Sequence, residues 1–191
     1  MEKLNVMIVG VGGQGTLLAS RIIGNVAMKK GYDVKMSEVH GMAQRGGSVV
    51  TYLKLADKVY SPIIEKSDAD IILGFEELES LRWIDYLKKD GKIIINTQKI
   101  DPMPVIIGKK KYPEAIVERI KDNYTDVTVI DALKIAKKAG NMKAVNTVII
   151  GQFAKIGNIE KKIWVEAIKE TVPSKFLEVN LKAFEAGYSC V

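Results

Sequence analysis

Six residues near the amino terminus, Gly10-Val11-Gly12-Gly13-Gln14-Gly15, follow the spacing G-x-G-x-x-G. Glycine at those positions lets the chain turn tightly. It also lets a phosphate approach the backbone N–H groups at the start of a helix, where the macrodipole is positive. The chemistry served would be nucleotide or pyrophosphate binding. A dinucleotide site also wants an acidic residue for a ribose hydroxyl, and Glu38 stands 23 residues after Gly15. A tight turn that merely lets a helix pack close to a sheet satisfies the same pattern.

A second segment, Ser37-Glu38-Val39-His40-Gly41-Met42-Ala43-Gln44-Arg45-Gly46-Gly47-Ser48, holds the only histidine of the chain together with three glycines. Loops that leave the C-terminal ends of strands in an open parallel sheet gather on one edge, so this segment is expected beside the first. The forked guanidinium of Arg45 suits a carboxylate or a phosphate. Singly, His40 reads as a structural histidine and Arg45 as a solvated charge; beside a phosphate-type loop, they and Gln44 read as a ligand or partner surface. No G-x-S-x-G elbow occurs and the lone histidine has no nearby nucleophile, so no hydrolytic triad and no catalytic residue is expected here.

The elements that must position these residues follow from hydrophobic period. Leu4 to Val9 reads as a buried strand, and Gly15 to Lys30 as a helix with Leu18, Ile22 and Val26 on one face, stopped at Gly31. Asp33 to Val39 follows as a second strand, which makes a βαβ unit with parallel strands and a right-handed crossover. Val49 to Leu55 alternates in the manner of a half-buried strand, turns near Ala56-Asp57 and returns through Lys58-Val59-Tyr60 as an antiparallel hairpin. Ala69 to Phe75 and Lys92 to Thr97 read as buried strands around a helix from Glu77 to Leu87. Val127 to Ile130 is a late strand, Asp131 a helix cap, and the period is helical from there almost to the end. Asp101-Pro102-Met103-Pro104 shapes a loop. The expected fold is α/β: three layers, a mostly parallel sheet with a Rossmann-like first βαβ unit, an antiparallel hairpin and C-terminal helices, all in one domain over residues 1–191.

Composition removes several functions. A single cysteine, Cys190, forms no internal disulfide, four-cysteine iron–sulfur site or zinc knuckle, and one histidine adds little toward a metal site. No secretory h-region and no run of about 18 apolar residues is present, so a cytoplasmic protein with no membrane partner is expected. The formal net charge of +6 is spread along the chain; its densest patch, Lys109-Lys110-Lys111, lacks stacking aromatics and reads as a solvated loop, with no nucleic-acid partner.

Taken together, the glycine turn Gly10 to Gly15, the run Glu38-Val39-His40-Gly41-Met42-Ala43-Gln44-Arg45-Gly46-Gly47, Tyr60-Ser61-Pro62 and Gly74-Phe75-Glu76 resemble the gamma-type subunit of the 2-oxoacid:ferredoxin oxidoreductases. The resemblance spans nearly the whole chain and is strongest to the indolepyruvate branch; pyruvate and branched-chain relatives carry a similar subunit. It implies a heteromeric enzyme that oxidatively decarboxylates an aryl-2-oxoacid to its acyl-CoA, with ferredoxin receiving the electrons. It also implies that thiamine diphosphate and the iron–sulfur clusters sit on a large partner subunit, since this chain has neither the Gly-Asp-Gly…Asn-Asn signature nor the cysteines. This chain would then be inactive alone, would cover and shape the partner's active site, and would contact ferredoxin only indirectly. The expected cofactor-binding set is Gly10, Gly12, Gly13, Gln14, Gly15, Glu38, His40, Gln44, Arg45, Gly46 and Gly47, with a coenzyme A contact at Gly12 to Gly15 and with His40, Gln44 and Arg45 reaching the active-site entrance or subunit interface.

Two other readings share the glycine turn. A stand-alone NAD-dependent dehydrogenase would need a second domain and an acid–base pair, which the chain does not supply. A nucleotide-sensing module would bind adenine nucleotides without turnover.

Overall fold

Leu4–Val11 (β1) is an aliphatic run buried on both faces, the composition of a central strand. The computed structural model describes residues 3–41 and 46–190. After β1 come α1 (Thr16–Lys29), β2 (Asp33–His40), β3 (Ser48–Ala56), β4 (Ala69–Gly74) and α2 (Glu77–Arg82). These are followed by β5 (Leu87–Asn96), α3 (Met103–Ile106), α4 (Ile116–Lys121), β6 (Asp126–Ile130) and α5 (Ala132–Ala139). The chain closes with α6 (Val145–Ile156), α7 (Lys161–Thr171) and α8 (Ser174–Ser189).

The strands form one sheet in the order β2-β3-β1-β4-β5-β6. β1, β4, β5 and β6 pair in parallel, while β3 runs against both its neighbours, β1 and β2. The fold is the expected α/β type with a mostly parallel sheet, but its first unit differs from the sequence reading. β1 and β2 point the same way yet are not neighbours, because β3 is inserted between them. The reason lies in β3 itself. Both its odd and its even residues are apolar, Leu53 and Leu55 on one face and Val50 and Tyr52 on the other, and all four are buried. Such a strand needs a packed layer over each of its faces, which the interior of the sheet offers and its edge does not.

The antiparallel hairpin is therefore made by β2 and β3, and residues 57–60 form no returning strand. That segment instead folds back across the start of β2, where Val59 N–H donates to Asp33 Oδ2 at 2.9 Å. The helix expected from Glu77 to Leu87 is shorter. It ends at Arg82, a 3₁₀ turn covers Ile84–Tyr86, and Leu87 already belongs to β5. Asp131 caps α5 as expected, accepting from Lys134 N–H at 2.9 Å.

Helices cover both faces. On one, Val6, Ile8, Leu53, Leu73 and Ile94 pack against α1 and against α6, α7 and α8, with Trp164 and Phe184 fully buried. On the other, Met7, Val9, Ile72, Ile93 and Ile95 meet Ile116 and Ile120 of α4 and the rings of Trp83 and Tyr86. The contact of α6 with α8 is backbone on backbone. A Cβ added at Gly151 would lie 2.3 Å from the Phe184 carbonyl oxygen, and one at Gly187 2.1 Å from that of Val148.

Candidate functional site

Parallel pairing puts the C-terminal ends of β1, β4, β5 and β6 on one edge of the sheet. The end of β2 and the start of β3 lie on the same edge. Both glycine-rich segments leave from there, and the structure joins them: the N–H of Gly12 donates to the carbonyl of Gly47 at 3.0 Å.

Within the first segment the residues divide into an inner and an outer set. Gln14 turns inward. Its Oε1 accepts from Val11 N–H at 2.8 Å, and its Nε2 donates to the Phe75 carbonyl at 2.8 Å and to Gln98 Oε1 at 3.3 Å. One amide thus ties the loop to the ends of β4 and β5. Gly10 is glycine because a Cβ there would press on Gln14 Oε1 at 2.8 Å and on the Phe75 Cβ at 2.9 Å. Gly15 opens α1 in the left-handed region, φ +79°, and a Cβ on it would lie 2.7 Å from Asn146 Nδ2. Asn146 Nδ2 also donates to the Gly15 carbonyl at 3.3 Å.

The outer set is Gly12 and Gly13. Gly13, at φ +95°, has no heavy atom of the described residues within 4 Å of the place a Cβ would take. Behind it, the N–H groups of Thr16, Leu17 and Leu18 find no acceptor among the described residues, the ordinary state of a helix start without a capping side chain. Open space over a glycine, next to unpaired N–H groups at a positive helix end, is what an anionic oxygen needs in order to come close.

Glu38 and His40 form a second cluster beside this loop. Glu38 is placed opposite Thr51 in the β2–β3 ladder, on the α1 face of the sheet. Its Oε2 accepts from Thr51 Oγ1 at 2.8 Å and from Thr16 Oγ1 at 3.3 Å, and its Oε1 lies 2.8 Å from Nε2 of His40. The carboxylate is 12% exposed and the imidazole 61%. Glu38 therefore fastens β2, β3 and the first turn of α1 together, and holds the ring of His40 at the open edge. With both oxygens engaged and β3 standing between β1 and β2, Glu38 is placed differently from the ribose-binding acid of a dinucleotide fold.

Three glutamates below the edge are almost fully buried. Glu76 Oε1 accepts from Tyr112 Oη at 2.6 Å and from Ile100 N–H at 3.0 Å, and its Oε2 accepts from Glu79 N–H at 2.8 Å. Burial pushes the Tyr112 hydroxyl far above the usual tyrosine range, and the hydrogen bond to Glu76 adds to the effect. Burial also raises the Glu77 carboxyl, against the opposing pull of Lys99, whose Nζ lies 3.7 Å away. Glu79 accepts from Ser48 Oγ and pairs with Arg82 Nε at 3.0 Å, so the start of β3 is tied to α2.

Of the residues singled out from sequence, the structure brings Gly12, Gly13, Glu38, His40 and Gly47 to one edge, and it turns Gly10, Gln14 and Gly15 to bracing roles. Gly46 lies in the turn that leads into β3, at φ +70°, and no atom of the described residues comes within 4 Å of where its Cβ would be. Gln44 and Arg45 lie outside the described residues. Sequence reasoning missed Thr16, Thr51, Gln98 and Asn96. Asn96 is fully buried, donates to the Phe75 carbonyl at 2.9 Å and accepts from Ala132 N–H at 3.0 Å. A lone polar residue closing the aliphatic run Ile93-Ile94-Ile95 was the signal available for it. Among the described residues no group of three or more His, Cys, Asp or Glu could hold a metal ion, and no helix is long and apolar enough to cross a membrane.

Comparison with known proteins adds a family profile, two relatives and two solved structures. The family profile described as pyruvate ferredoxin/flavodoxin oxidoreductase matches residues 5–190. The chain is 40% identical over 192 residues to the indolepyruvate oxidoreductase subunit IorB of Pyrococcus horikoshii, covering 98% of this chain and 95% of that protein. It is 29% identical over 188 residues to the common gamma subunit of the pyruvate/ketoisovalerate oxidoreductases of Thermococcus kodakarensis, covering 94% and 92%. Among solved structures, the gamma subunit of a keto/oxoacid ferredoxin oxidoreductase from Geobacter sulfurreducens superposes with a TM-score of 0.72 at 23% identity over 97% of this chain and 96% of that one. The 2-oxoglutarate:ferredoxin oxidoreductase of Magnetococcus marinus, solved with 2-oxoglutarate, coenzyme A and succinyl-CoA bound, gives 0.74 at 18% identity, over 99% of this chain and 31% of that one. The two structures share the fold with this protein.

Proposed function

The chain belongs to the pyruvate ferredoxin/flavodoxin oxidoreductase family, and from that premise we propose that it is the small, cofactor-poor subunit of a cytoplasmic indolepyruvate:ferredoxin oxidoreductase. The observation that carries the reading is the 40% identity, across nearly the full length of both chains, to a subunit of an indolepyruvate enzyme. Identity to the pyruvate/ketoisovalerate gamma subunit is 29%.

In this reading a large partner subunit holds thiamine diphosphate and the iron–sulfur clusters, and those groups supply the decarboxylation and the one-electron steps that end on ferredoxin. A thiolate cluster does not fit this chain, whose only cysteine is Cys190. What its own residues offer is a place for an anion. Gly12 and Gly13 leave the backbone open, Gly15 braces the start of α1 against Asn146, and the first N–H groups of that helix find no acceptor among the described residues. A pyrophosphate suits such a place, and the Magnetococcus enzyme is a family-fold protein whose structure contains coenzyme A. We assign Gly12 and Gly13 to the coenzyme A pyrophosphate, with Gly15 packed on Asn146 as the brace beneath them. His40, positioned by Glu38, stands with Gly46 and Gly47 at the rim that we assign to the partner's active-site entrance. None of these residues performs the bond-breaking step.

The test is reconstitution with the large subunit, followed by assay of oxoacid- and CoA-dependent reduction of ferredoxin or a viologen dye. Indolepyruvate should give the highest kcat/KM. A preference for pyruvate or a branched-chain oxoacid would move the assignment to that branch, and NAD reduction by the isolated chain would overturn it. Asparagine tolerates positive φ, so Gly13→Asn fills the open space with limited backbone strain. It should raise the KM for CoA at least tenfold in an intact complex; an unchanged KM would remove the CoA assignment alone.

A further inference from the structure

We infer that α3 and the lysine run behind it form a knob that anchors this chain in an apolar socket, rimmed with carboxylates, on the large partner subunit. The inference rests on the subunit reading above and adds the docking surface to it.

Between β5 and α4 the chain makes a long excursion that buries little of its own apolar content. Met103 is 51% exposed, Ile106 64% and Ile107 54%. The next helix behaves in the opposite way, with Ile116 and Ile120 fully inside. Three large apolar side chains left outside on one short element form a patch of the kind that marks a protein contact.

The patch is built. Ile107 N–H donates to the Met103 carbonyl at 3.0 Å, Gly108 N–H to that of Val105 at 2.9 Å, and Lys110 N–H to that of Pro104 at 2.9 Å. Gly108, at φ +73°, reverses the chain and brings the lysines back beside the apolar residues. The root of the knob is clamped to the sheet edge, because Ile100 N–H and Tyr112 Oη both donate to the buried Glu76, and Tyr112 Oη in turn accepts from Leu78 N–H at 3.0 Å. A small ordered protrusion that shows its apolar side loses little conformational entropy on docking, which is how a short anchor can contribute much of an interface's affinity.

Charge selects the partner. Lys109, Lys110 and Lys111 are all exposed, and none pairs with a carboxylate among the described residues. A socket that receives them must be acidic at its rim. A second copy of this chain is a poor occupant, since a two-fold contact through the knob would set one lysine run against the other. The large subunit is the occupant that position favours. The knob grows from the edge that carries the glycine loops, and Gln98, just before its root, touches Gln14. A partner that covers those loops reaches the knob without a break.

The test uses the full chain and the purified large subunit, with binding read by calorimetry. Ile106→Asp combined with Ile107→Asp should weaken association at least tenfold, and so should Lys109→Glu, Lys110→Glu and Lys111→Glu made together. All five positions are exposed, so circular dichroism and the melting temperature should match the unmodified chain. The lysine part of the effect should shrink at high salt. Undiminished binding by both variants overturns the knob as an anchor. Equal weakening by the remote pair Lys137→Glu and Lys138→Glu overturns it too, because net charge alone would then account for the loss. So does a loss confined to self-association, or to binding of phosphatidylserine vesicles. If the unmodified chain fails to bind the large subunit, the subunit reading falls, and this inference with it.

Discussion

The N–H of Gly12 donates to the carbonyl of Gly47 at 3.0 Å, so the loop after β1 and the turn into β3 form one surface. The two glycines that flank Gly13 should respond differently to a methyl group. At Gly12 the nearest atom to an added Cβ is the Gly47 oxygen at 4.0 Å, while at Gly15 the positive φ is joined by Asn146 Nδ2 at 2.7 Å. Gly12→Ala should change stability by less than about 0.5 kcal/mol. Gly15→Ala should cost roughly 1–3 kcal/mol from the left-handed backbone and the crowding. Urea unfolding of the two variants side by side checks the contrast.

Glu38 serves three partners, and truncating it should separate its roles. Thr51 is fully buried, and Glu38→Ala leaves its hydroxyl without the carboxylate, a loss of roughly 1–3 kcal/mol. Glu38→Gln retains an acceptor for Thr51 and should cost less than half as much, while the contact with His40 is weakened. If the complex uses His40 at its rim, Glu38→Gln should lower turnover more than it lowers stability. Thermal melts paired with the reconstituted assay distinguish the two effects.

Much of this was legible in the chain because the signals were local. The strand β1, the helix that stops at Gly31, the cap at Asp131 and the two glycine-rich segments each follow from a few adjacent residues. The insertion of β3 was not legible, because strand order depends on which strand must be covered on both sides, and Val49 to Leu55 looks half-buried when Tyr52 and Lys54 are read as polar. At the site the same division appears. The glycines announced the loop, whereas the Gln14 clamp depends on Phe75 and Gln98, residues 61 and 84 positions away. Likewise, Thr16 and Thr51 carry no signal until the ladder sets Glu38 against Thr51.

Gly151 and Gly187 show no motif, yet they allow α6 and α8 to touch along their backbones. Gly151→Ala or Gly187→Ala would push a methyl group to within 2.3 Å or 2.1 Å of a carbonyl oxygen, so the helices must separate. Each substitution should cost roughly 1–3 kcal/mol, which for a chain of this length lowers the melting temperature by several degrees at about 2–4 °C per kcal/mol. Differential scanning calorimetry provides the measurement. Neither glycine touches the sheet edge, so binding to the large subunit should survive below the new melting temperature.

Tyr112 offers a test by pH. Its hydroxyl donates to Glu76 and accepts from Leu78 N–H, so Tyr112→Phe leaves a backbone donor unpaired and should cost roughly 1–3 kcal/mol near neutrality. In the folded protein the hydroxyl is held above the usual value, first by burial and then by the Glu76 carboxylate. A folded pKa above the unfolded value of about 10 means that the stabilisation is complete below that pH and declines as the pH rises beyond it, because the unfolded chain releases its proton first. The difference between the wild type and Tyr112→Phe should therefore narrow between about pH 9 and pH 11. Tyr52 and Tyr124, also raised by burial, remain in the variant and keep some alkaline decline in both proteins. Urea midpoints across that range decide the matter: a constant gap would mean that the Tyr112 hydroxyl titrates as it does in the unfolded chain, and that the clamp at the root of α3 is open.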